Sequence, residues 1–63
     1  MGLKEIRIDL GLSQSQLAKK AEVNLRMLQY YEQGVKDIKK ASGETIKKLA
    51  DALDVTMEEI IKD

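Results

Sequence analysis

The sequence predicts an all-α fold, a compact bundle of five helices, and three observations support that prediction. Apolar residues recur every three or four positions throughout the 63 residues, which is the spacing of one helix face. The chain contains no proline, and β-branched residues never alternate with polar ones over the length of a strand. Good N-cap residues precede the periodic segments. A chain of this length supports one core, so residues 1–63 are predicted to form a single domain.

Capping residues place the boundaries of the helices. The predicted helices cover about 3–10, about 14–21 and Leu25 to about Gln33, and two more begin after Ser42 and after Thr56. The predicted N-caps are Ser13, Asn24, Ser42 and Thr56, with Gln16 and Glu59 as capping-box partners of the first and the last. Gly11 and Gly34 are predicted to end helices 1 and 3, because glycine readily adopts the left-handed conformation at a helix C-terminus.

The predicted core collects the inward-facing apolar residues of these helices. They are Leu3, Ile6 and Leu10 in helix 1, Leu17, Ala18 and Ala21 in helix 2, Met27, Leu28 and Tyr31 in helix 3, Ile46, Leu49, Ala50 and Leu53 in helix 4, and Met57, Ile60 and Ile61 in helix 5. Leu12 is expected to fold back after helix 1. Ile38 is expected to pin the polar stretch VKDIKKA, which joins helices 3 and 4, to the core.

Two joints between helices have the same chemistry. Ala-Glu-Val-Asn at 21–24 and Leu-Asp-Val-Thr at 53–56 each combine a helix end, an acidic residue, a valine that can plug the core and an N-cap. We interpret this pattern as shared joint chemistry and not as an internal repeat, because the helices around the two joints do not otherwise align.

The composition removes most catalytic chemistry. Without cysteine or histidine, the chain has no thiol nucleophile, no imidazole base and no thiolate or imidazole metal ligand. No pair of carboxylates and no nucleophile–base set is evident, so neither enzymatic activity nor a cofactor is expected. The longest apolar runs are two or three residues, which predicts neither a membrane span nor a secretory signal.

The charges are unevenly distributed although the formal net charge is zero. Residues 1–42 carry eight Lys or Arg against five Asp or Glu, whereas residues 43–63 carry three against six. Such an asymmetry favours one surface that meets an anion, and plain solvation of a small helical protein is the alternative explanation.

Helix 3 has two distinct faces. At about 100° per residue, the inner sector holds Met27, Leu28, Tyr31 and Glu32. The outer sector holds Leu25, Arg26, Gln29, Tyr30 and Gln33. These outer side chains suit base edges, because arginine pairs with guanine, glutamine pairs with adenine, and leucine or a tyrosine ring meets a thymine methyl group. Each alone also fits a plain exposed helix, but their combination on one face favours contact with duplex DNA.

The surroundings of helix 3 favour the same use. A turn of about three residues joins helices 2 and 3, as in a helix-turn-helix, in which the second helix lies in the major groove and the first crosses the backbone. Phosphate contacts are predicted for Gln14, Lys19, Lys36, Lys39 and Lys40. A solvated loop is the alternative interpretation of the lysines.

A protein-interaction module is the alternative function. In that case the Leu25–Tyr30 face, or the end formed by Met57 and Ile61, would contact a partner protein. Salt distinguishes the two functions, because affinity for DNA falls steeply with rising ionic strength and an apolar protein contact responds little.

The sequence resembles the lambda-repressor-like helix-turn-helix family of phage and bacterial regulators. The resemblance covers about residues 3–61 and rests on three segments in the family's order and spacing, LKEIRIDLGLSQSQLAKKA, VNLRMLQYYEQG and ASGETIKKLADALDVTMEEII. It implies a five-helix domain that binds double-stranded DNA, often as a homodimer on a two-fold site. It also implies a transcriptional regulator. Since the sequence predicts neither a membrane span nor a secretory signal, a cytoplasmic location is expected, at the nucleoid if the protein is bacterial.

The resemblance further implies roles for individual residues. Gln14 matches the family's phosphate-contacting glutamine at the start of helix 2. The positions that contact bases and nearby phosphates in the family are here Asn24, Leu25, Arg26, Gln29, Tyr30 and Gln33. Arg7 and Glu32 match positions that form an ion pair between helices 1 and 3 in some members, so Arg7 is assigned to structure and not to DNA.

Three features depart from the family pattern. Glu22 and Asp54 stand where the family commonly has glycine at helix ends, and left-handed backbone angles there would cost Glu more than Gly or Asp. The net charge of zero predicts weak or strongly salt-sensitive DNA binding.

The clean amphipathic helices and the absence of Cys, His, Pro, Trp and Phe fit an idealised or engineered domain, with a small natural regulator as the alternative.

Overall fold

A computed structural model describes residues 2–61 of the protein. Over these residues the chain forms five α-helices and one short 3-10 helix. In chain order they are α1 (Leu3–Asp9), α2 (Gln14–Ala21), α3 (Leu25–Gln33), the 3-10 helix (Ile38–Lys40), α4 (Gly43–Leu53) and α5 (Met57–Ile61). The predicted all-α class is confirmed, and the 3-10 helix lies in the stretch predicted as a loop. Within residues 2–61, no helix is long and apolar enough to cross a membrane.

Side-chain caps begin four of these α-helices. At α2 both halves of the predicted capping box form, since Ser13 Oγ accepts from the Gln16 N–H at 3.0 Å and Gln16 Oε1 accepts from the Ser13 N–H at 2.8 Å. The other three caps pair Asn24 with Met27, Ser42 with Thr45 and Thr56 with Glu59, at 3.1, 3.2 and 3.2 Å from side-chain oxygen to amide nitrogen. Each cap satisfies a first-turn N–H that has no intrahelical acceptor, and each is worth about 1 kcal/mol.

Glycine ends α1 and α3 as predicted. Gly11 has φ +73° and Gly34 has φ +81°, both in the left-handed region. After α1, the reversal lets the Leu12 N–H donate to the Arg7 carbonyl at 3.2 Å. This bond satisfies one of the carbonyls left over at the helix end and turns Leu12 back toward the core.

The two positions without the family's glycine also adopt left-handed backbone angles. Glu22 ends α2 with φ 58° and ψ 42°, and Asp54 ends α4 with φ 56° and ψ 45°. An ordinary side chain in this region costs about 1–2 kcal/mol, and aspartate tolerates it better than glutamate. Both turns therefore keep the backbone path that glycine favours, at an energetic cost that is larger for Glu22.

The core lies where α2 packs against α3 and α4, with α5 packed against α4 and the 3-10 helix. Its largest fully buried side chains are Leu17, Leu28, Leu49 and Leu53. The other buried apolar residues are Leu3, Ile6, Ala18, Ala21, Ile46, Ala50, Ala52 and Ile60. Leu12 and Ile38 pack against this core from the two loops, as predicted.

Two predicted core residues lie at the surface instead. Leu10 is 52% exposed, because α1 has already ended and the chain has entered the turn in which Leu12 packs inward. Met57 is 38% exposed, because it is the first residue of α5, where the neighbouring elements cover less of the helix than they cover at Ile60. Periodicity placed both residues on the core face, but burial at a helix end also depends on what the neighbouring elements cover there.

Candidate nucleic-acid interface

A joint of three residues, 22–24, connects α2 to α3. Glu22 ends α2, Val23 packs half-buried against the core, and Asn24 caps α3. The Val23 N–H also donates to the Ala18 carbonyl at 3.0 Å. Because a helix end, a core contact and an N-cap follow one another without a spare residue, the direction in which α3 leaves α2 is fixed.

The inner face of α3 is locked into the protein. Leu28 is 1% exposed, and the Glu32 side chain is 2% exposed. Tyr31 packs against the core, and Met27 is half-buried. This agrees with the predicted inner sector, so the opposite side of α3 is the side available to a ligand.

The outer face of α3 carries the predicted base-contacting side chains. Arg26 and Gln33 are exposed, Leu25 is 37% exposed, and Gln29 and Tyr30 are half-buried. Asn24 is exposed at the start of the helix, where its side-chain oxygen caps α3. The structure thus brings these residues to one side of α3 or to its first turn. Their contact with bases stays a prediction.

An ion pair joins α1 to the inner face of α3. Arg7 Nε donates to Glu32 Oε2 at 2.7 Å, and Arg7 Nη2 donates to Glu32 Oε1 at 2.9 Å. A third donor, Arg7 Nη1, reaches the Leu12 carbonyl at 2.7 Å. The two side chains are 11% and 2% exposed, so the pair is held by a bidentate contact away from water. The structural role that the resemblance implies for Arg7 is confirmed.

The environment of Arg7 favours its charged form. The hydrogen bonds to Glu32 raise the pKa of Arg7 above its ordinary value, and the negative charge of Glu32 acts in the same direction, while desolvation by burial opposes them. Arg7 is therefore charged throughout the physiological pH range, and removing Glu32 would leave a buried charge without its partner.

Two glutamines extend this ion pair to the surface. Gln14 Nε2 donates to Glu32 Oε1 at 3.1 Å, and Gln29 Nε2 donates to Gln14 Oε1 at 3.4 Å. Gln14 is predicted to contact a phosphate and Gln29 to contact a base, and both are half-buried and hydrogen-bonded to each other. Sequence reasoning missed this contact, because the partners lie 15 and 18 positions apart and no local pattern pairs them.

The predicted phosphate-contacting lysines lie in two places. Lys36 and Lys40 line a shallow surface groove together with Tyr31 and Val35, just after α3. Lys39 belongs to the same 3-10 helix as Lys40 and is exposed, and its backbone N–H donates at 3.0 Å to the Asp37 side chain, which caps that helix. Lys19 is exposed on α2. Ile38 packs against the core and holds this basic loop beside the end of α3.

A tight turn joins the short helices α2 and α3, and α3 has one buried face and one polar face at the surface. This arrangement is a helix-turn-helix, a class of DNA-binding domain. The helix-turn-helix family model matches residues 3–60. The chain belongs to this family as a lambda-repressor-like helix-turn-helix domain, and the family is one of DNA-binding regulators. No curated protein and no solved structure gave a match.

Proposed function

We propose that the protein recognises specific sequences of double-stranded DNA as a transcriptional regulator, with α3 in the major groove. The observation that carries this proposal is the division of α3, whose inner face is buried and ion-paired while its outer face carries Arg26, Gln29 and Gln33. An exposed helix face that served only solubility would instead resemble α4, where Lys47 and Lys48 form exposed ion pairs within the helix.

The base contacts are assigned by the chemistry of the outer face. Arg26 donates two hydrogen bonds to guanine, and Leu25 contacts a thymine methyl group. Gln29 and Tyr30, which lie further along α3, contact other bases. Asn24 and Gln33 contact bases or the adjoining backbone at the two edges of this face. These positions span the whole of α3, which is the element that enters the groove in this class of domain.

The phosphate contacts flank α3 on both sides. Gln14 and the backbone N–H groups at the start of α2 approach one phosphate, since a helix N-terminus favours anions. Lys36, Lys39 and Lys40 approach the phosphates beyond the other end of α3, and Lys19 assists from α2. Four phosphate-contacting lysines and a net charge of zero give modest affinity that depends strongly on salt.

Selection from a random-duplex library tests this proposal. We expect enrichment of a short motif, and affinity for that motif should fall steeply between low and physiological ionic strength. Lys36→Ala should weaken binding to all sequences alike and reduce the salt dependence by about one counterion. A different result would be that no motif is enriched and that the protein binds a protein partner with an affinity that salt does not change. That result would identify an interaction module that uses Leu25 or Met57, which are 37% and 38% exposed.

We also propose that the protein binds a two-fold DNA site as a homodimer, through α5 or the 35–42 loop. Exposed apolar side chains on these segments support this, because Met57 is 38% exposed and Val35 is 66% exposed. The expected result is a palindromic motif whose half-sites are about one helical turn apart. A single short motif would show instead that one copy of the domain binds alone.

A further inference from the structure

Four side chains from three helices form one hydrogen-bonded polar chain, in the order Arg7, Glu32, Gln14, Gln29. Arg7 comes from α1, Gln14 from α2, and Glu32 and Gln29 from α3. The inner end of this polar chain is the buried ion pair, and its outer end is a glutamine on the outer face of α3. An interaction that stabilises the fold is therefore connected directly to the surface proposed to bind DNA.

The inner end determines the direction of every hydrogen bond in the polar chain. A guanidinium group only donates and a carboxylate only accepts, so Glu32 must receive the bonds from Arg7. Gln14 likewise has to turn its amino group toward Glu32 Oε1, 3.1 Å away, which leaves its own carbonyl oxygen facing Gln29. Gln29 then has to present its amino group to that oxygen, at 3.4 Å.

The opposite orientation of either amide is unfavourable. A flipped Gln14 would hold its carbonyl oxygen against a carboxylate oxygen, and a flipped Gln29 would hold its carbonyl oxygen against that of Gln14. The bond between the two glutamines is long and contributes little attraction by itself. The discrimination comes instead from the repulsion in the wrong orientation, so the charge of Glu32 selects one of two amide orientations at both glutamines.

We propose that Glu32 is a positioning residue for DNA recognition, which acts through Gln14 to hold Gln29 with its carbonyl oxygen toward the bases. This inference rests on the proposed function of α3. A carbonyl oxygen accepts from the amino group of adenine or cytosine, whereas the keto oxygens of guanine and thymine would repel it. Gln29 therefore selects an amino base over a keto base on the strand that it contacts, and an unconstrained glutamine could turn over and bind either.

The test measures this selection at one base pair. The base that Gln29 contacts is found as the position whose preference changes in Gln29→Ala, and binding is then measured on four duplexes that differ only there. Gln14→Met keeps the length of the side chain, removes its amide and leaves both hydrogen bonds between Arg7 and Glu32 in place. The preference of this variant for amino over keto bases should fall by about threefold to tenfold, the range of one net hydrogen bond, with preferences elsewhere in the site unchanged.

A matched control separates this effect from a lost phosphate contact. Gln14 also approaches a phosphate in the proposed complex, so Gln14→Met should weaken binding to all four duplexes in addition to changing their ratio. Lys36→Ala should weaken all four equally and leave the ratio unchanged. Glu32→Gln, which preserves the shape of the side chain but not its charge, should reduce the ratio as Gln14→Met does. If Glu32→Gln does not fold, Gln14→Met decides by itself.

The outcomes distinguish this inference from the function on which it rests. A motif that depends on Arg26 but keeps its amino preference in Gln14→Met would overturn the role of Glu32 and leave DNA recognition by α3 intact. A keto base at the Gln29 position, or a Gln29→Ala variant with unchanged base preferences, would overturn it in the same way. Enrichment of no motif at all would overturn the proposed function and this inference with it.

Discussion

The protein contains the same helix joint twice, and only the first copy precedes a helix with an arginine on its outer face. At 22–24 and at 54–56, an acidic residue in the left-handed conformation is followed by a half-buried valine and an N-cap. The valine N–H donates to a carbonyl five residues earlier in both joints, Val23 to Ala18 and Val55 to Ala50, each at 3.0 Å. The backbone and the hydrogen bonds of the two joints are thus nearly the same.

The likeness of the two joints extends into the helices around them. Leu17 and Leu49 are both 0% exposed, and Leu28 and Ile60, which follow the joints, are 1% and 2% exposed. The first helical residue after each joint is a large apolar side chain at the surface, Leu25 or Met57. Burial therefore corresponds over most of 17–28 and 49–60, a longer stretch than the sequence pattern indicated. The exceptions are Ala52, which is buried where Lys20 is exposed, and Glu59, which is exposed where Met27 is half-buried.

The difference between the joints lies in the side chains that follow them. Arg26 in α3 corresponds to Glu58 in α5, so a cation that suits a base edge is replaced by an anion that DNA would repel. Within residues 2–61, α5 has five residues and α3 has nine, and α3 is also anchored to α1 through Glu32. A joint of this kind directs a helix across the core. Binding chemistry depends on the outward residues of the helix that it directs.

Loss of the ion pair between Glu32 and Arg7, which anchors α3 to α1, should have the largest effect on stability. Glu32→Ala would leave the Arg7 charge buried without a partner, so the free energy of unfolding should fall by about 3–5 kcal/mol, a large part of the stability of a small domain. Glu58→Ala, an exposed change in the helix after the other joint, should stay within about 0.5 kcal/mol. Denaturant unfolding of both variants measures the difference. Equal losses would mean that the ion pair does not anchor α3.

The corresponding positions after the two joints should differ in DNA binding. Arg26→Ala should weaken binding to the selected motif by about 1–3 kcal/mol and relax the preference at one base pair. Glu58→Ala should not weaken it, since α5 presents no base-reading face in the proposed complex. Titrations on the motif and on its single-base variants measure both. If Arg26→Ala kept full specificity while binding persisted, the proposed placement of α3 in the groove would be wrong.

The two valines should contribute equally to stability and unequally to binding. Val23→Ala and Val55→Ala each remove two methyl groups that are half-buried against the core, so each should lower the free energy of unfolding by about 1 kcal/mol. Only Val23→Ala should also reduce affinity for DNA, because it loosens the direction of α3. Unfolding curves and DNA titrations of the same two proteins test this, and matching losses of affinity would contradict it.

The smallest expected effect is a gain in stability at the left-handed positions. Glu22→Gly should raise the free energy of unfolding by about 0.5–1 kcal/mol, since relief of the backbone strain exceeds the extra entropy of glycine in the unfolded chain. Asp54→Gly should gain less, because aspartate tolerates these angles better. Thermal unfolding of the two single variants ranks them, and destabilisation by Glu22→Gly would show that its side chain makes a compensating contact.

Local interactions explain which parts of the fold were predictable. A capping box joins residues three positions apart, so Ser13 with Gln16 predicted the start of α2 correctly. The family's glycine at the end of helix 2, and not the identity of Glu22 itself, indicated the left-handed angles found there. Leu10 and Met57 were misplaced, because the face of a helix is a local property, whereas burial at its ends depends on what the neighbouring elements cover.

The sequence by itself determined the helices, their caps, the two faces of α3 and the family, because each depends on periodicity or on residues close together in the chain. Only the tertiary structure decided that Gln14 and Gln29 meet, and that both are connected to Arg7 through Glu32. The folding of three helices around one core creates that contact, and no local spacing encodes it. The orientation of the glutamine proposed to read a base is therefore a property of the folded domain.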